Sequence, residues 1–416
     1  IARKFAEREI WQSDMSEKSY FYFPSLSTTT IIYKGLLRPE DMEDFYKDLS
    51  NPKFVTRLAL VHQRFSTNTF PTWDLAQPFR YMCHNGEINT QRGNINRMRA
   101  REELFKSDVF GEDIQKILPV VIEGKSDSAT MDMVVELLQL TGRPLPEVMM
   151  MMVPEAWEKH RNMPEYKKSF YEYMSAVMEP WDGPASIPFT DGHVIGALLD
   201  RNGLRPSRYT VTKDGWVIMS SETGVVKVEP ENVEYNGRLE PGKMFLVDME
   251  AGTIIGDEEI KQQVAEAHPY RQWLDDNQLH FRDLPYVKDS SIPVEAVDSK
   301  SRQRAFGYTQ EDVKTLILPM AQNGKEGIGS MGTDTPVAVL SDRPQLLYNY
   351  FHQLFAQVTN PPLDGIREEL VTDLSLTIGA DHNIFSHGPE HCRKLRIQNP
   401  VLTNEDMVKL KALDRD

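Results

Sequence analysis

Three residues between positions 64 and 86 carry groups that could bind a carboxylate and stabilise an oxyanion. The guanidinium of Arg64 is planar and can hold a carboxylate through two parallel hydrogen bonds. Asn85 and Gly86 place a side-chain amide beside a backbone N–H, and two neutral donors suit the negative charge that develops on a carbonyl oxygen. Each signal alone is weak, because an Arg after a strand is usually a surface or ion-paired residue and Asn-Gly is usually a turn.

Two short apolar segments precede these groups and are predicted to position them as strands. Leu58–His62 is predicted to be a buried strand that leads into Arg64, and Tyr81–His84 to be a second strand that leads into Asn85. The next segment, Glu87–Phe105, contains no proline and is predicted to be a helix.

A further helix is predicted to begin after Ser126, a residue type that favours the N-cap position. Apolar residues then recur at helical spacing at Met131, Val134, Val135 and Leu138. Asp127 therefore lies in the first turn, where an acidic residue most often caps the helix or complements its dipole.

The chain contains two cysteines, Cys83 and Cys392, which provide neither a disulfide framework nor the spacing of a metal or iron–sulfur site. Both are interpreted as reduced, partly buried thiols. Cys83 lies two residues before Asn85, but an internal cysteine has no α-amine to act as its base. Alternation along a strand predicts Cys83 and Asn85 on one face and His84 on the other.

Composition excludes several function classes. The 416 residues allow two or three domains, and 40% hydrophobic with 26% charged residues is ordinary for a globular protein. A net charge of −15 disfavours nonspecific binding to nucleic acid or to an anionic membrane. No apolar run approaches the roughly 18 residues of a membrane span. Few cysteines and an acidic balance favour a cytoplasmic compartment.

The remaining sequence predicts an α+β fold. Aromatic and β-branched residues predict strands within Tyr20–Leu37, and turn signals after Pro184 predict an antiparallel meander. A helix at Gln310–Leu318 is predicted to end at Pro319.

Two further patterns could indicate a dinucleotide site or a metal site, but neither has the required context. Residues 327–332 have the form G-x-G-x-x-G but follow a helix and precede a strand, the reverse of a dinucleotide site, so a structural turn is predicted. The ten histidines have no metal-ligand spacing, so no metal site is predicted.

The hexapeptides HQRFST (62–67) and HNGEIN (84–89) resemble the class II, N-terminal-nucleophile glutamine amidotransferases. The surrounding residues resemble the large subunit of the glutamate synthases over nearly the whole chain. GSMGTDTP and FAQVTNPP, after residue 328, resemble the start of that family's central domain. The resemblance implies part of an αββα sandwich at 1–257, a helical connector and linker at 258–304, and the start of an α/β central domain at 305–416.

The same resemblance implies a role for each site residue. Arg64 would bind the α-carboxylate of L-glutamine and Asp127 its α-ammonium. The side chain of Asn85 and the N–H of Gly86 would form the oxyanion hole. The glutamine pocket would be lined by Phe65 and Thr67.

The stretch Asp200–Pro206, followed by Ser221 and Glu222, also resembles the amidotransferases. It would pack near the nucleophile, either taking part in catalysis or forming a tight turn with buried polar pairs.

One departure from the family concerns the nucleophile. In that family it is a cysteine at the mature N-terminus, whereas this sequence begins at Ile1. The expectation is an internal segment of a longer polypeptide, inactive alone. The function implied is the glutamine-hydrolysing part of glutamate synthase, which supplies ammonia for reductive amination of 2-oxoglutarate. The alternatives are a non-catalytic glutamine-binding or docking module and another class II amidotransferase.

Cofactor and partner expectations follow the resemblance. This segment is expected to bind no cofactor, with FMN and an iron–sulfur cluster elsewhere in the parent chain. The partners implied are the flavin-bearing synthase domain and either a small NAD(P)H-oxidising subunit or ferredoxin. The compartment implied is the cytoplasm, or the plastid in a plant or alga.

Overall fold

The computed structural model describes residues 1–64, 70–287, 298–327, 337–345, 347–351 and 364–413. The chain divides into two units, one formed by Ile1–Leu284 with Asn360–Val401 and the other by Pro285–Thr359 with Leu402–Asp416. The division at residues 257 and 304 stays a prediction. The contacts show in addition that a segment of the expected central domain folds with the first unit.

Helices make up much of the first unit before residue 180. In chain order its α-helices are α1 (Ala2–Gln12), α2 (Met42–Phe45), α3 (Gln91–Arg101), α4 (Asp127–Leu140), α5 (Leu145–Met152), α6 (Glu165–Val177), α7 (Asp257–Ala265), α8 (Tyr270–Asn277) and, later, α12 (Arg367–Val371).

The strands pair mostly in antiparallel fashion, and those between Pro184 and Ile255 form the antiparallel meander that the turn signals predict. The strands are β1 (Asn85–Gly86), β2 (Ala185–Thr190), β3 (Val194–Leu199), β4 (Arg208–Thr212), β5 (Val217–Ser220), β6 (Val233–Arg238), β7 (Met244–Asp248), β8 (Thr253–Ile255), β9 (Leu279–His280), β10 (Leu376–Ile378) and β11 (Leu395–Ile397). They form sheets of order β1-β2-β3-β7-β8, β5-β4-β6 and β10-β11-β9.

Side-chain alternation on the five-stranded sheet separates two cores. Ile187, Leu198 and Leu246 point into the large core shared with helices α4, α5 and α6. Ala197 and Phe245 lie on the opposite face and pack against residues of the β5-β4-β6 sheet. The layers are thus helices, a five-stranded sheet and a three-stranded sheet, which correspond to the αββ part of the expected sandwich. The α+β prediction is confirmed.

Helix α4 forms where the sequence predicts it. The side chain of Ser126 accepts a hydrogen bond from the backbone N–H of Ala129, which satisfies one of the free donors at the helix start. Most of the helix is buried, including Val134 and Leu138. Helix α5 packs beside it and contributes a run of buried methionines to the same core.

The strands predicted within Tyr20–Leu37 and at Leu58–His62 are wrong. Residues 21–37 and 58–62 contain no strand, and Val61 is 80% exposed. Aromatic residues there make edge-to-face pairs, such as Tyr22 with Trp73, in place of a pleated surface. High β-propensity produces a strand only when a partner strand can be paired.

Residues 364–401 complete the first unit. Ile384 and Cys392 are fully buried in its large core. The guanidinium of Arg143, which is itself buried, donates to the backbone carbonyls of Ile384 and Ser386. Strand β11 pairs in parallel with β9 and antiparallel with β10.

The described part of the second unit is helical. It contains α9 (Ser299–Ala305), α10 (Gln310–Asp312), α11 (Leu318–Asn323) and α13 (Asn404–Lys411), with 3₁₀ turns at Ala338–Leu340 and Leu347–Tyr350.

The prediction that Pro319 ends the helix is wrong. Pro319 lies inside a continuous helical segment, at the second position after the π-helical turn Val313–Ile317. A π turn re-registers the backbone hydrogen bonds, which accommodates a residue with no N–H. The segment ends at Gly324, which adopts the left-handed conformation at φ 61°. Most of the predicted turn at 327–332 lies outside the described residues.

Candidate active site

The segment that contains β1 lies at the edge of the five-stranded sheet. The N–H of Cys83 donates to the carbonyl of Pro188 at 3.0 Å, and the N–H of Glu87 donates to the carbonyl of Pro184 at 3.1 Å. Successive residues of an antiparallel strand turn their N–H groups alternately toward and away from the partner strand. Because residues 83 and 87 face β2, the N–H of Gly86 faces the outer edge.

Position 86 requires glycine. Its φ is 151°, and a Cβ there would lie 1.9 Å from the carbonyl oxygen of Pro184. Gly183 approaches the carbonyl of Glu87 equally closely. The two backbones therefore meet without side chains, which fixes the direction of the Gly86 N–H.

The backbone of His84 also faces the outer edge, and side chains occupy it. Its N–H donates to Oε1 of Gln77 at 2.7 Å, and its carbonyl accepts from Nε2 of the same side chain at 3.3 Å. The ring of His62 contacts that carbonyl through Nε2 at 3.0 Å. Gln77 and His62 thus take the place of a neighbouring strand, one residue before the exposed side chain of Asn85.

Arg64 ends the described stretch before residue 65 and is exposed. Its backbone N–H donates to Nδ1 of His62 at 3.1 Å, so a single imidazole connects Arg64 to the segment of Asn85. The predicted pocket residues Phe65 and Thr67 lie outside the described residues.

Asp127 lies against the same segment. Its carboxylate accepts from the N–H of Ile88 and from the N–H of Ser128, both at 2.8 Å. One of its oxygens lies 3.4 Å from Nε2 of His84. Burial acts to raise the pKa of Asp127, but His84 and the two N–H donors outweigh it and hold the pKa below its usual range. Ser126 provides the helix cap, so Asp127 is not needed for that role. Its carboxylate is an ionised group held in a fixed position beside Ile88.

Cys83 and Asn85 differ in burial, and their placement on one face of the strand stays a prediction. The side chain of Cys83 is buried, whereas that of Asn85 is exposed. Burial raises the pKa of the Cys83 thiol to about 12. A thiol that stays protonated at neutral pH is a poor nucleophile.

The turn Asp200–Pro206 supports the strand opposite Gly86. One carboxylate oxygen of Asp200 accepts from the N–H of Ala185, the register partner of Gly86, at 3.0 Å. The other accepts from the N–H groups of Asn202 and Gly203. These contacts are those of a tight turn with buried polar pairs, one of the two predicted alternatives.

The described geometry brings four predicted residues to one neighbourhood. Arg64, Asn85, Gly86 and Asp127 all lie on, or are connected by a hydrogen-bonded side chain to, residues 84–88. Reasoning from the sequence missed Gln77 and His62. His62 is the first residue of the HQRFST motif. Its position two residues before Arg64 could have identified it as a residue near the site.

Metal-binding clusters and membrane-spanning helices are both absent from the part of the chain that the structure describes. It contains no cluster of three or more His, Cys, Asp or Glu side chains arranged to hold a metal ion. None of its helices combines the length and the apolar character required to traverse a bilayer.

Comparison with known proteins defines the class. Residues 1–273 match the family described as glutamine amidotransferases class-II, and residues 301–416 match the glutamate synthase central domain. The chain belongs to the class-II glutamine amidotransferase family.

Its relatives are glutamate synthases. The NADPH glutamate synthase large chain of Bacillus subtilis is 52% identical over 99% of this chain and 27% of its own length. The NADH glutamate synthase of Schizosaccharomyces pombe is 47% identical over 96% of this chain and 19% of its own. The ferredoxin-dependent enzyme of Antithamnion sp. is 42% identical over 100% of this chain and 27% of its own. The chain thus spans no more than 27% of these relatives.

Proposed function

We propose that this chain binds L-glutamine and stabilises the oxyanion formed during its hydrolysis, as part of a glutamate synthase. The observation that carries the proposal is the edge at residues 85 and 86. There an exposed amide side chain lies beside a backbone N–H that faces away from the sheet. Two such donors, fixed before the reaction, stabilise the charge that develops on the amide oxygen.

The two charged residues recognise the amino-acid end of the substrate. The guanidinium of Arg64 pairs with the α-carboxylate, and the ionised Asp127 receives the α-ammonium. Among the described residues, Arg64 has no ion-pair partner, so its charge is available to a ligand. Charge-assisted hydrogen bonds of this type are the stronger ones and fix orientation.

The reaction then follows acyl-transfer chemistry. A thiolate attacks the side-chain amide carbon, and the carbonyl oxygen becomes an oxyanion held by Asn85 and Gly86. The proton that the thiol gave up is transferred to the departing nitrogen, so collapse of this intermediate expels ammonia and leaves a thioester. Water hydrolyses the thioester to glutamate and regenerates the thiol. Cys83 and Cys392 are buried thiols whose pKa values are raised to about 12. We therefore assign the attacking thiolate to a residue outside this chain.

The ammonia is proposed to serve the reductive amination of 2-oxoglutarate. The names of the relatives support this assignment, and they show three different electron donors: NADPH, NADH and ferredoxin. FMN and an iron–sulfur cluster are proposed to be held by other parts of the protein. The proposed partners are a flavin-bearing domain and either a small NAD(P)H-oxidising subunit or ferredoxin.

The decisive experiment is Asn85→Ala in the full polypeptide that carries this sequence. Loss of one oxyanion donor costs on the order of 3 kcal/mol, so kcat with glutamine should fall roughly 10²–10³-fold while KM changes little. Synthesis from free ammonia should persist. Asn96→Ala, at an exposed position on α3, is the matched control and should leave both activities unchanged. A normal kcat for Asn85→Ala would remove the oxyanion assignment and favour a docking module.

A further inference from the structure

His62 is hydrogen-bonded on both sides of its ring to parts of the proposed site. Its Nδ1 contacts the backbone N–H of Arg64 at 3.1 Å, and its Nε2 contacts the backbone carbonyl of His84 at 3.0 Å. The first contact is with the residue whose guanidinium is proposed to bind the substrate carboxylate. The second lies one residue before the oxyanion donors at positions 85 and 86.

The two partners determine the tautomer of His62. A backbone N–H can only donate, so Nδ1 must accept and carry no proton. A backbone carbonyl can only accept, so Nε2 must carry the proton. The ring is therefore the neutral Nε2–H form, and both of its nitrogens are engaged at once.

The surroundings of His62 favour this neutral form. Burial lowers the pKa of His62, and the neighbouring His84 and Arg64 act in the same direction on charge grounds. The carboxylate of Asp127 lies 3.4 Å from Nε2 of His84. Since the ring is uncharged, its contribution is geometric and does not depend on attraction to the substrate.

We propose that His62 is a positioning residue that sets the separation between Arg64 and the Asn85–Gly86 edge, and thereby selects the length of the amino-acid amide. This inference rests on the proposed function. The α-carboxylate of glutamine and its side-chain amide lie at opposite ends of one flexible chain. Two binding groups held at a fixed separation accept that chain length and reject one that is a methylene shorter.

Two variants separate the two hydrogen bonds. His62→Gln can extend an amide N–H to the position of Nε2 and keep the bridge to His84. His62→Asn can place its amide oxygen near the position of Nδ1 and keep the contact with Arg64, but it is too short to reach the His84 carbonyl. Only His62→Asn is therefore expected to release Arg64 from the edge.

The experiment measures kcat and KM for L-glutamine and L-asparagine in the full polypeptide. One neutral hydrogen bond contributes roughly 0.5–1.5 kcal/mol, so His62→Asn should raise the KM for glutamine up to about tenfold. The ratio of kcat/KM for glutamine over asparagine should fall by a similar factor. His62→Gln should stay within about threefold of the wild type on both measures. Synthesis from free ammonia should be unchanged in both variants.

His193→Asn is the matched control, because His193 is exposed and pairs with Glu250. The inference is overturned if His62→Asn keeps the wild-type KM and selectivity. It is also overturned if both variants lose glutamine- and ammonia-dependent activity equally with a lower melting temperature, since that marks a purely structural residue. A wild-type protein that releases no ammonia from glutamine would instead overturn the proposed function, and this inference with it.

Discussion

Charged groups have opposite roles in two regions of the first unit. One is the edge around residues 84–88, and the other is the junction formed by Arg396 with Glu158 and Glu172. At the edge, Arg64 is exposed and lacks an ion-pair partner in the described chain, and Asp127 is held by backbone N–H groups. At the junction, the buried guanidinium of Arg396 donates to Glu172 at 3.1 Å and to Glu158 at 2.6 Å.

The difference shows how each region is suited to its task. A site must present charges that a ligand can complete. Arg64 is accordingly held through its backbone N–H and leaves its guanidinium available, whereas the carboxylate of Asp127 is oriented by backbone N–H donors. A structural junction instead satisfies its charges internally, because an unpaired charge in a buried position is costly.

The largest expected effect is on folding, from Arg396→Ala. Removal of the guanidinium takes a cation from the half-buried Glu158 and from the buried Glu172, although Glu172 keeps its ion pair with Arg271 at 3.1 Å. Breaking such a pair costs about 3 kcal/mol, the low end of the range for buried pairs. Urea unfolding followed by tryptophan fluorescence is a suitable measurement, since the guanidinium lies over the ring of Trp157 at 5.0 Å. Arg393→Ala, at a neighbouring exposed position, should change stability little. Equal stability of the two variants would contradict the structural role of the junction.

A smaller effect, on binding, is expected from Asp127→Asn. The substitution removes the negative charge proposed to receive the substrate ammonium, and a hydrogen bond to a charged group contributes about 1.5–3 kcal/mol. KM for glutamine should rise roughly 10- to 100-fold, while synthesis from ammonia persists. Ser126→Ala serves as the control, because it removes the helix cap and leaves the charge. If Ser126→Ala raises KM as much, Asp127 acts on the helix and not on the substrate.

The smallest effect concerns pH. Burial, together with the hydrogen bond to Asp373, raises the pKa of Glu158 to about 7 despite the opposing charge of Arg396. A carboxyl that is protonated in the folded state but ionised in the unfolded state stabilises the fold fully below its unfolded pKa. This contribution is lost as the pH rises from about 4.5 through about 7. Allowing for solvent screening, the loss is on the order of 1 kcal/mol. Glu158→Gln should flatten the stability profile across that range, and an unchanged profile would disprove the assignment.

Features that depend on nearby residues were predictable from the sequence. Helix α4 begins after Ser126 because the cap and the apolar spacing are both encoded within a few residues. The meander after Pro184 follows from its turn residues in the same way. Asn85, Gly86 and Asp127 lie around one segment, but their roles stay predictions.

Features that depend on distant partners were not predictable. Leu58–His62 has the composition of a strand, yet in the described chain it pairs with no strand. The outer edge at His84 is satisfied by the side chains of Gln77 and His62, and no local pattern encodes a side chain that replaces a strand. The helix through Pro319 likewise depends on the π turn that precedes it, and a rule for proline alone does not foresee this.

The burial of Ile384 and Cys392 in the first unit constrains how the two matched regions of the chain can evolve. The match to the amidotransferase family ends at residue 273. The large hydrophobic core of that region, however, also includes residues beyond 380. A recombination event that exchanged residues 1–273 alone would combine one protein's core residues with another protein's residues at positions 384 and 392. The two sets would not have evolved to pack together. The two families matched along this chain are therefore expected to have diverged together, with substitutions in one compensated in the other.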